Sequence, residues 1–103
     1  MGIHDFSVTV GTVDGETVVH PRGELDLVTS PALRSAIESA NATRVVVDFT
    51  DVDFMNTSGL SVLIALTRRL RADGGDLVVR HPNAMVRKTF AIAGVEELLN
   101  IQP

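Results

Sequence analysis

The segment that most constrains the fold runs from Arg44 to Phe49 and contains three successive valines. A strand with one face in water alternates apolar and polar residues, whereas a strand covered on both faces reads as an apolar run. This segment therefore predicts a central strand of a parallel sheet rather than an edge strand.

Two strands are predicted before this segment. Apolar and polar residues alternate from Phe6 to Val10, which is the period of a half-buried strand. Asp14–Gly15 is a strong turn dipeptide, so residues 17–20 are expected to return as the second strand. Pro21 has no amide proton to donate to a ladder, and we expect the second strand to weaken there.

Three segments with the apolar spacing of amphipathic helices alternate with the strands. We expect Ser30 to cap a first helix that Pro31 opens, and Gly74–Gly75 to end a second helix. We expect Pro82 to open a third helix that Gly94 ends. This alternation predicts parallel strands joined by right-handed crossovers. The remaining predicted elements are a strand over residues 76–80 and a short last turn or helix over 95–99.

Composition excludes several classes of protein. The 103 residues suffice for a single domain, 1–103, and include no cysteine, which excludes disulfides and thiol nucleophiles. A net charge of −4 and the lack of Trp and Tyr argue against a nucleic-acid partner. No apolar run approaches the ~20 residues that span a bilayer, so we expect no membrane association. The first residues do not resemble a signal peptide, and a cytoplasmic protein is expected.

No pattern indicates catalysis or a bound cofactor. A serine hydrolase would need Ser58 with His4, His20 or His81, but Asn56 stands where the G-x-S-x-G elbow has its first glycine. The histidine spacings that bind zinc and the glycine-rich patterns that bind nucleotides are missing as well. We therefore expect no metal, no cofactor and no enzyme, and a small enzyme or nucleotide-binding protein is the least supported alternative.

The strongest local feature is the segment Asp51–Leu60, which joins the predicted strand over residues 44–49 to the second helix. Asn56, Thr57 and Ser58 are all residues that cap helices, and one cap is enough. On spacing alone, an ordinary helix start is therefore favoured over a functional site.

A resemblance to a known family changes that balance. Three segments resemble the STAS domains of bacterial anti-sigma factor antagonists, and 74–77 and 90–95 fit the same pattern further on. The resemblance covers nearly the whole chain and implies the STAS fold: a mixed, mostly parallel sheet of four to five strands with three to four helices packed against it. The three segments are Gly23–Asp26, Ser30–Leu33 and Val47–Leu60.

The same resemblance implies a partner-switching protein. Members of the family bind an anti-sigma factor that is also an ATP-dependent serine kinase, and binding releases a sigma factor for transcription. The kinase phosphorylates the antagonist, which then dissociates, and a metal-dependent phosphatase resets it. The family's motif is Asp-Ser-(Ser or Thr)-Gly, so Thr57 matches the acceptor and Ser58 is the alternative. Asn56 stands in place of the family's Asp, and Thr57 in place of its Ser.

The resemblance also implies which residues contact the partner. Asp26 matches a position near the acceptor, although a solvated carboxylate at the end of a strand is an equally good interpretation. Asp48 is expected to cap or brace the neighbouring loop. The exposed side of the second helix, including Ala65 and Arg68, is either a docking face or a plain solvated face. The expected partner-binding residues are Asp26, Asp53, Phe54, Asn56, Thr57, Ser58, Gly59 and Ser61.

A second hypothesis keeps the fold and drops the modification. Asn56 removes the charge that the family places beside its acceptor. The chain would then be a STAS scaffold without phosphorylation, acting as a subunit of another assembly such as a lipid-transport or stress-sensing complex. This hypothesis predicts partner binding but no phosphothreonine.

Overall fold

The positive φ angles of Asp14 and Gly15 turn the chain from its first strand into the second, as the sequence predicts. The computed structural model describes residues 5–103, so His4 lies outside the described residues. Among the described residues there are six strands and three helices. They are β1 (Ser7–Val13), β2 (Glu16–Leu25), α1 (Ser30–Ala40), β3 (Arg44–Asp48), β4 (Asp51–Met55), α2 (Thr57–Ala72), β5 (Asp76–Arg80), α3 (Ala84–Ala93) and β6 (Asn100–Gln102).

The strands form one mixed sheet in the order β1-β2-β3-β5-β6, with β4 paired to β2. Only the β1–β2 pair is antiparallel among the described strand pairs. The predicted α/β class with a mostly parallel sheet is therefore confirmed. The sheet has six strands rather than four to five, because β4 and the three-residue β6 were not predicted as strands.

Strand β2 runs on through Pro21, so the expected weakening at this residue is wrong. Residues Thr17–Val19 pair with β3, whereas Arg22–Leu25 pair with β4. Pro21 lies opposite Val8 of β1, and on its other side it falls between the two parallel ladders, so neither parallel ladder loses a hydrogen bond there. The second ladder brings the carboxyl ends of β2 and β4 side by side.

Strand β3 is covered on both faces, as predicted. Val45, Val46 and Val47 have no exposed surface, and Val45 and Val47 belong to the core that the helices cover. On the opposite face, Glu16 accepts hydrogen bonds from Arg44 at 3.0 Å and Arg80 at 3.2 Å. These two hydrogen bonds, Arg44 first, lower the pKa of Glu16. Charged side chains thus cover the face of the sheet that is opposite the helices.

The helix ends agree with the sequence at Gly94 and differ at Ser30 and Pro82, since α3 begins at Ala84 with Asn83 as its cap. Gly94 has a φ of 71° and follows the last residue of α3, as predicted. Ser30 is the first residue of α1, and Thr29 holds the cap position. Thr29 makes no side-chain cap hydrogen bond, because its hydroxyl donates to the Glu24 carbonyl instead. Among residues 5–103, no helix is long and apolar enough to cross a membrane.

Candidate functional site

The candidate site forms where β2 and β4 end together. Leu25 lies beside Met55 in the parallel ladder, so the loop after β2 and the start of α2 leave the sheet next to each other. The backbone amide of Asn56 donates a hydrogen bond to the Leu25 carbonyl at 3.2 Å, which joins the two segments. In an α/β sheet, the carboxyl ends of strands are the usual place for binding residues.

Asn56 is the cap of α2. Its Oδ1 accepts hydrogen bonds from the Ser58 amide at 3.0 Å and from the Gly59 amide at 3.2 Å. The structure thus selects one of the three candidate caps. An aspartate would offer the same oxygen, so the Asn in place of the family's Asp preserves the helix start while removing a charge.

Gly59 packs the first turn of α2 tightly against the sheet. A Cβ at this position would lie 2.6 Å from the Leu25 carbonyl oxygen and 3.0 Å from Met55 Cγ. The glycine is therefore required by packing, because no larger side chain fits without a shift. Its contact turns the opposite side of the helix start towards solvent.

Thr57 and Ser61 lie on that solvent side. Both residues are exposed, whereas Ser58 is half-buried. The Ser61 hydroxyl donates to the Thr57 carbonyl at 2.9 Å, which leaves the Thr57 side chain outside this hydrogen bond. Thr57 is therefore the more accessible of the two candidate acceptors. The dipole of α2 favours negative charge at this end, while the Ser58 and Gly59 amides are already bonded to Asn56 Oδ1.

Asp26 organises the loop beside the helix start. Its Oδ1 accepts hydrogen bonds from the Val28 amide at 2.9 Å and the Thr29 amide at 3.0 Å. Both interpretations made from the sequence missed this role, although an Asp followed three residues later by Thr is a recurrent turn pattern. The turn leaves Leu27 72% exposed and Val28 67% exposed, and the sequence did not single out either residue.

Asp53 and Phe54 line the adjoining edge of β4. Asp53 is exposed and Phe54 is 39% exposed. A residue that sequence reasoning missed, Asn83, braces this strand with its side-chain amide, which donates to the carbonyls of Val52 at 3.0 Å and Asp53 at 3.4 Å. The position of Asn83 just before α3 is the only signal of it in the sequence.

Other polar groups lie on neighbouring loops. Of the two expected roles of Asp48, it braces the neighbouring loop, since it accepts hydrogen bonds from the Thr50 amide at 3.0 Å and the Thr50 hydroxyl at 2.5 Å. Burial opposes ionisation of Asp48, but the hydrogen bonds from Thr50 outweigh it and lower its pKa. The Nε2 atom of His20 lies 2.7 Å from Oδ2 of Asp51, which is hydrogen-bond distance. Within the described part of the chain, no group of His, Asp and Glu is arranged to hold a metal ion.

The mixed sheet and the exposed, hydroxyl-bearing helix start define a small α/β domain that displays one rigid helix end. A family model for the STAS domain matches residues 7–103. The chain belongs to the STAS domain family, and the resemblance found in its sequence is confirmed.

Relatives with this fold carry the name of the expected subfamily. The anti-sigma-F factor antagonist RsfB of Mycobacterium tuberculosis is 36% identical over 68 residues, which are 63% of this chain and 56% of RsfB. The chain therefore spans only about half the length of that curated relative. An anti-sigma factor antagonist of Mycobacterium paratuberculosis has a crystal structure with a TM-score of 0.84 and 28% identity, covering 96% of this chain and 86% of that one.

A third relative is known in two chemical states. The anti-sigma factor antagonist SpoIIAA, unphosphorylated, matches with a TM-score of 0.76 and 26% identity over 92% of this chain and 87% of that one. Its phosphorylated form, from Bacillus, matches with a TM-score of 0.68 and 25% identity, over 92% of this chain and 90% of that one. A chain of this fold therefore exists both with and without phosphate.

Proposed function

We propose that this protein is an anti-sigma factor antagonist that binds an anti-sigma factor through the start of α2 and thereby releases a sigma factor. The observation that carries the proposal is the exposed Thr57 at a helix end that Asn56 and Gly59 hold rigidly. The named relatives support it, since several are anti-sigma factor antagonists. The protein acts as a binding partner and not as an enzyme, and it works in the cytoplasm.

The switch is phosphorylation of Thr57, with Ser58 as the alternative acceptor. The anti-sigma factor is the serine/threonine kinase, and a metal-dependent phosphatase removes the phosphate. A phosphate adds about −1.5 to −2 charges, which the dipole of α2 tolerates. In a buried contact the same group must lose its water, which costs several kcal/mol. Phosphorylation therefore weakens binding and leaves the fold intact.

The contact surface surrounds Thr57. Asp53 and Phe54 form its side on β4, and Ser61 continues it along α2. Asp26 acts through the loop that it orders, because its carboxylate holds the Val28 and Thr29 amides. Asn56 and Gly59 contribute by fixing the helix end. Ala65 and Arg68, which are also exposed, extend the docking face.

A second function is favoured by one residue. Asn56 caps α2 without the charge that the family's aspartate would place beside the acceptor. In this alternative the chain is an unphosphorylated STAS scaffold in another assembly, such as a lipid-transport or stress-sensing complex.

The two functions are separated by mass spectrometry after incubation with ATP and cytoplasmic extract of the source bacterium. We expect one phosphate on Thr57, lost in Thr57→Ala and retained in Ser35→Ala, which removes an exposed hydroxyl of α1 that is not part of the contact surface. A phosphate on Ser58 would keep the switch and move its acceptor. No phosphate, with an active kinase shown on a control substrate, would contradict the switch and favour the scaffold.

Binding tests the same proposal without a kinase. Each candidate anti-sigma factor of the bacterium is purified and titrated with this protein by calorimetry. We expect Thr57→Glu to weaken binding at least about tenfold, because a charge in the contact must be desolvated. Thr57→Gln, of the same length without the charge, is the matched control. If both variants bind as tightly as the wild type, Thr57 is not part of the contact surface.

A further inference from the structure

Strand β1 forms one edge of the sheet and lacks the features that usually protect an edge. Within residues 5–103 it pairs only with β2. Its seven residues, SVTVGTV, include no charge and no proline, and all but one are exposed. Natural edge strands are usually short, charged, interrupted by proline or covered, because their unpaired amides and carbonyls attract another strand.

An apolar row that crosses the whole sheet ends at this edge. The ladder register places Val10 beside Val19, Val19 beside Val47 and Val47 beside Val79. Val19, Val47 and Val79 have no exposed surface, whereas Val10 is 48% exposed. Among the described residues no strand follows on the outer side of β1, so the row stops at a residue that is about half exposed.

We propose that β1 pairs antiparallel with β1 of a second copy of this chain, with the two-fold axis at Val10. Val10 of one copy then lies opposite Val10 of the other, and the apolar row runs unbroken through both sheets. Ser7 lies opposite Val13 in this register, and Thr9 opposite Gly11. Two-fold symmetry makes each such pair occur twice, so the contact is self-complementary.

The charges that flank β1 agree with this register. Asp5 and Asp14 stand just outside the strand. With the axis at Val10, Asp14 falls opposite Phe6 and Asp5 falls opposite Gly15, so no two carboxylates face each other directly. Like charges directly opposite would destabilise the pair. A second copy supplies both the neutral strand and the apolar residue at the centre, which is why it fits this edge.

The contact leaves the candidate site accessible. Ser7 pairs with Arg22, so the first residue of β1 lies near the carboxyl end of β2, where the Thr57 site begins. In an antiparallel β1 pair, the two Thr57 sites therefore lie at opposite ends of the joined strands. The inference is independent of the proposed function, because it would stand whether or not Thr57 is phosphorylated.

Sedimentation velocity of the full chain, from about 1 μM to about 1 mM, tests the pairing. We expect the apparent mass to rise with concentration from 11.0 kDa towards twice that value. Val10→Lys places two ammonium groups opposite each other and should abolish the rise. Ile92→Lys is the matched control, since it adds the same charge at an aliphatic residue of α3 that is 77% exposed, and it should leave the rise unchanged.

Cross-linking tests the register. The chain has no cysteine, so Val10→Cys introduces a unique thiol on the proposed axis. Directly opposite Cβ atoms in an antiparallel pair lie about 4.5–5.5 Å apart, close to the separation that a disulfide needs. We expect oxidised Val10→Cys to run as a covalent dimer and oxidised Ile92→Cys to remain a monomer.

Three results would overturn the inference. One is a monomer throughout the concentration range. Another is a dimer that Val10→Lys leaves intact, which would place the contact elsewhere. The third is a wild-type monomer whose β1 edge pairs with a different protein. If circular dichroism shows that Val10→Lys does not fold, the double variant Thr9→Lys/Gly11→Lys takes its place, because these two exposed residues lie opposite each other in the proposed register.

Discussion

At each end of α2 a glycine lets the chain pack closely against a backbone carbonyl, yet the side chains at the two ends have different roles. At the amino end, Gly59 abuts the Leu25 carbonyl and Thr57 faces solvent. At the carboxyl end, a Cβ on Gly75 would lie 1.6 Å from the Thr43 carbonyl oxygen. There, Arg71 donates to Asp76 at 2.8 Å and to the Leu98 carbonyl at 2.6 Å.

This difference separates what stabilises the helix from what the helix displays. Side chains at the carboxyl end are engaged with β5 and with the segment before β6. At the amino end the backbone and the Asn56 cap carry the attachment, so the exposed hydroxyl of Thr57 is not needed to hold the helix. A residue that folding does not require is free to serve recognition.

The largest effect on stability is expected for Gly75→Ala. The added methyl would overlap the Thr43 carbonyl, so the backbone must move and the neighbouring Asp76–Thr43 hydrogen bond is strained. We expect a loss of about 3 kcal/mol or more in the free energy of unfolding, measured in urea. Gly11→Ala is the control, because nothing lies within 4 Å of its Cβ. Equal losses in the two variants would contradict the close packing at Gly75.

Gly59→Ala should cost less. Its Cβ would lie 2.6 Å from the Leu25 carbonyl oxygen, but its other contacts, at 3.0 Å, are side-chain Cγ atoms of Leu25 and Met55, which can shift more easily than backbone. Alanine also favours a helix by about 1 kcal/mol over glycine, which offsets part of the strain. We expect a net loss of about 1–2 kcal/mol and weaker partner binding. A variant as stable as the wild type would show that the amino end is not closely packed.

The carboxyl end should respond to pH. Burial opposes ionisation of Asp76, but hydrogen bonds from Arg71, Asn100 and the Leu77 amide outweigh it and lower its pKa. A lowered folded-state pKa gives stability that is present above the unfolded pKa and lost as pH falls through the folded value. Asp76→Asn should therefore cost about 1 kcal/mol at pH 7.

The difference in free energy of unfolding between the wild type and Asp76→Asn should narrow as the pH falls below about 4, because the wild-type carboxylate is then protonated. Urea unfolding of both proteins at several pH values measures it. Asp73→Asn, which changes an exposed carboxylate at the end of the same helix, is the control. A gap that stays constant with pH would mean that the Asp76 charge contributes nothing.

The smallest stability change is expected for Asn56→Asp. The carboxylate keeps the capping oxygen and adds a charge at the helix end, so stability should rise by no more than about 0.5 kcal/mol at neutral pH. The substitution also restores the family's acidic residue beside Thr57. Under the proposed function, we expect faster phosphorylation by the kinase, followed by mass spectrometry. Unchanged stability with unchanged phosphorylation would show that the kinase does not read this position.

Sequence reasoning succeeded where one residue or run decides the structure. The three valines of β3 required cover on both faces, and Gly94 required the end of a helix. The matched motif also placed Thr57 at a helix start. The structure places it there as the first residue of α2, although which hydroxyl is modified stays a prediction.

The failures concern features that depend on distant partners. Strand β4 exists because the second half of β2 offers it a ladder, and β6 is too short to show a period. The brace that Asn83 forms on β4 joins residues about thirty positions apart, which no local pattern reveals. The role of Asp26 was local, but a carboxylate after a strand is equally compatible with solvent.

The change of partner along β2 has a consequence for how this domain can evolve. The central ladder of β3 and β5 is set by the first half of β2, whereas the segment from β4 into α2 is fastened by its last four residues, by Gly59 and by Asn83. Exposed residues of that segment can therefore be substituted, and a new partner bound, without loss of the ladder that stabilises the fold. The ladder of β2, β3 and β5 can thus stay constant while the exposed residues from β4 into α2 change.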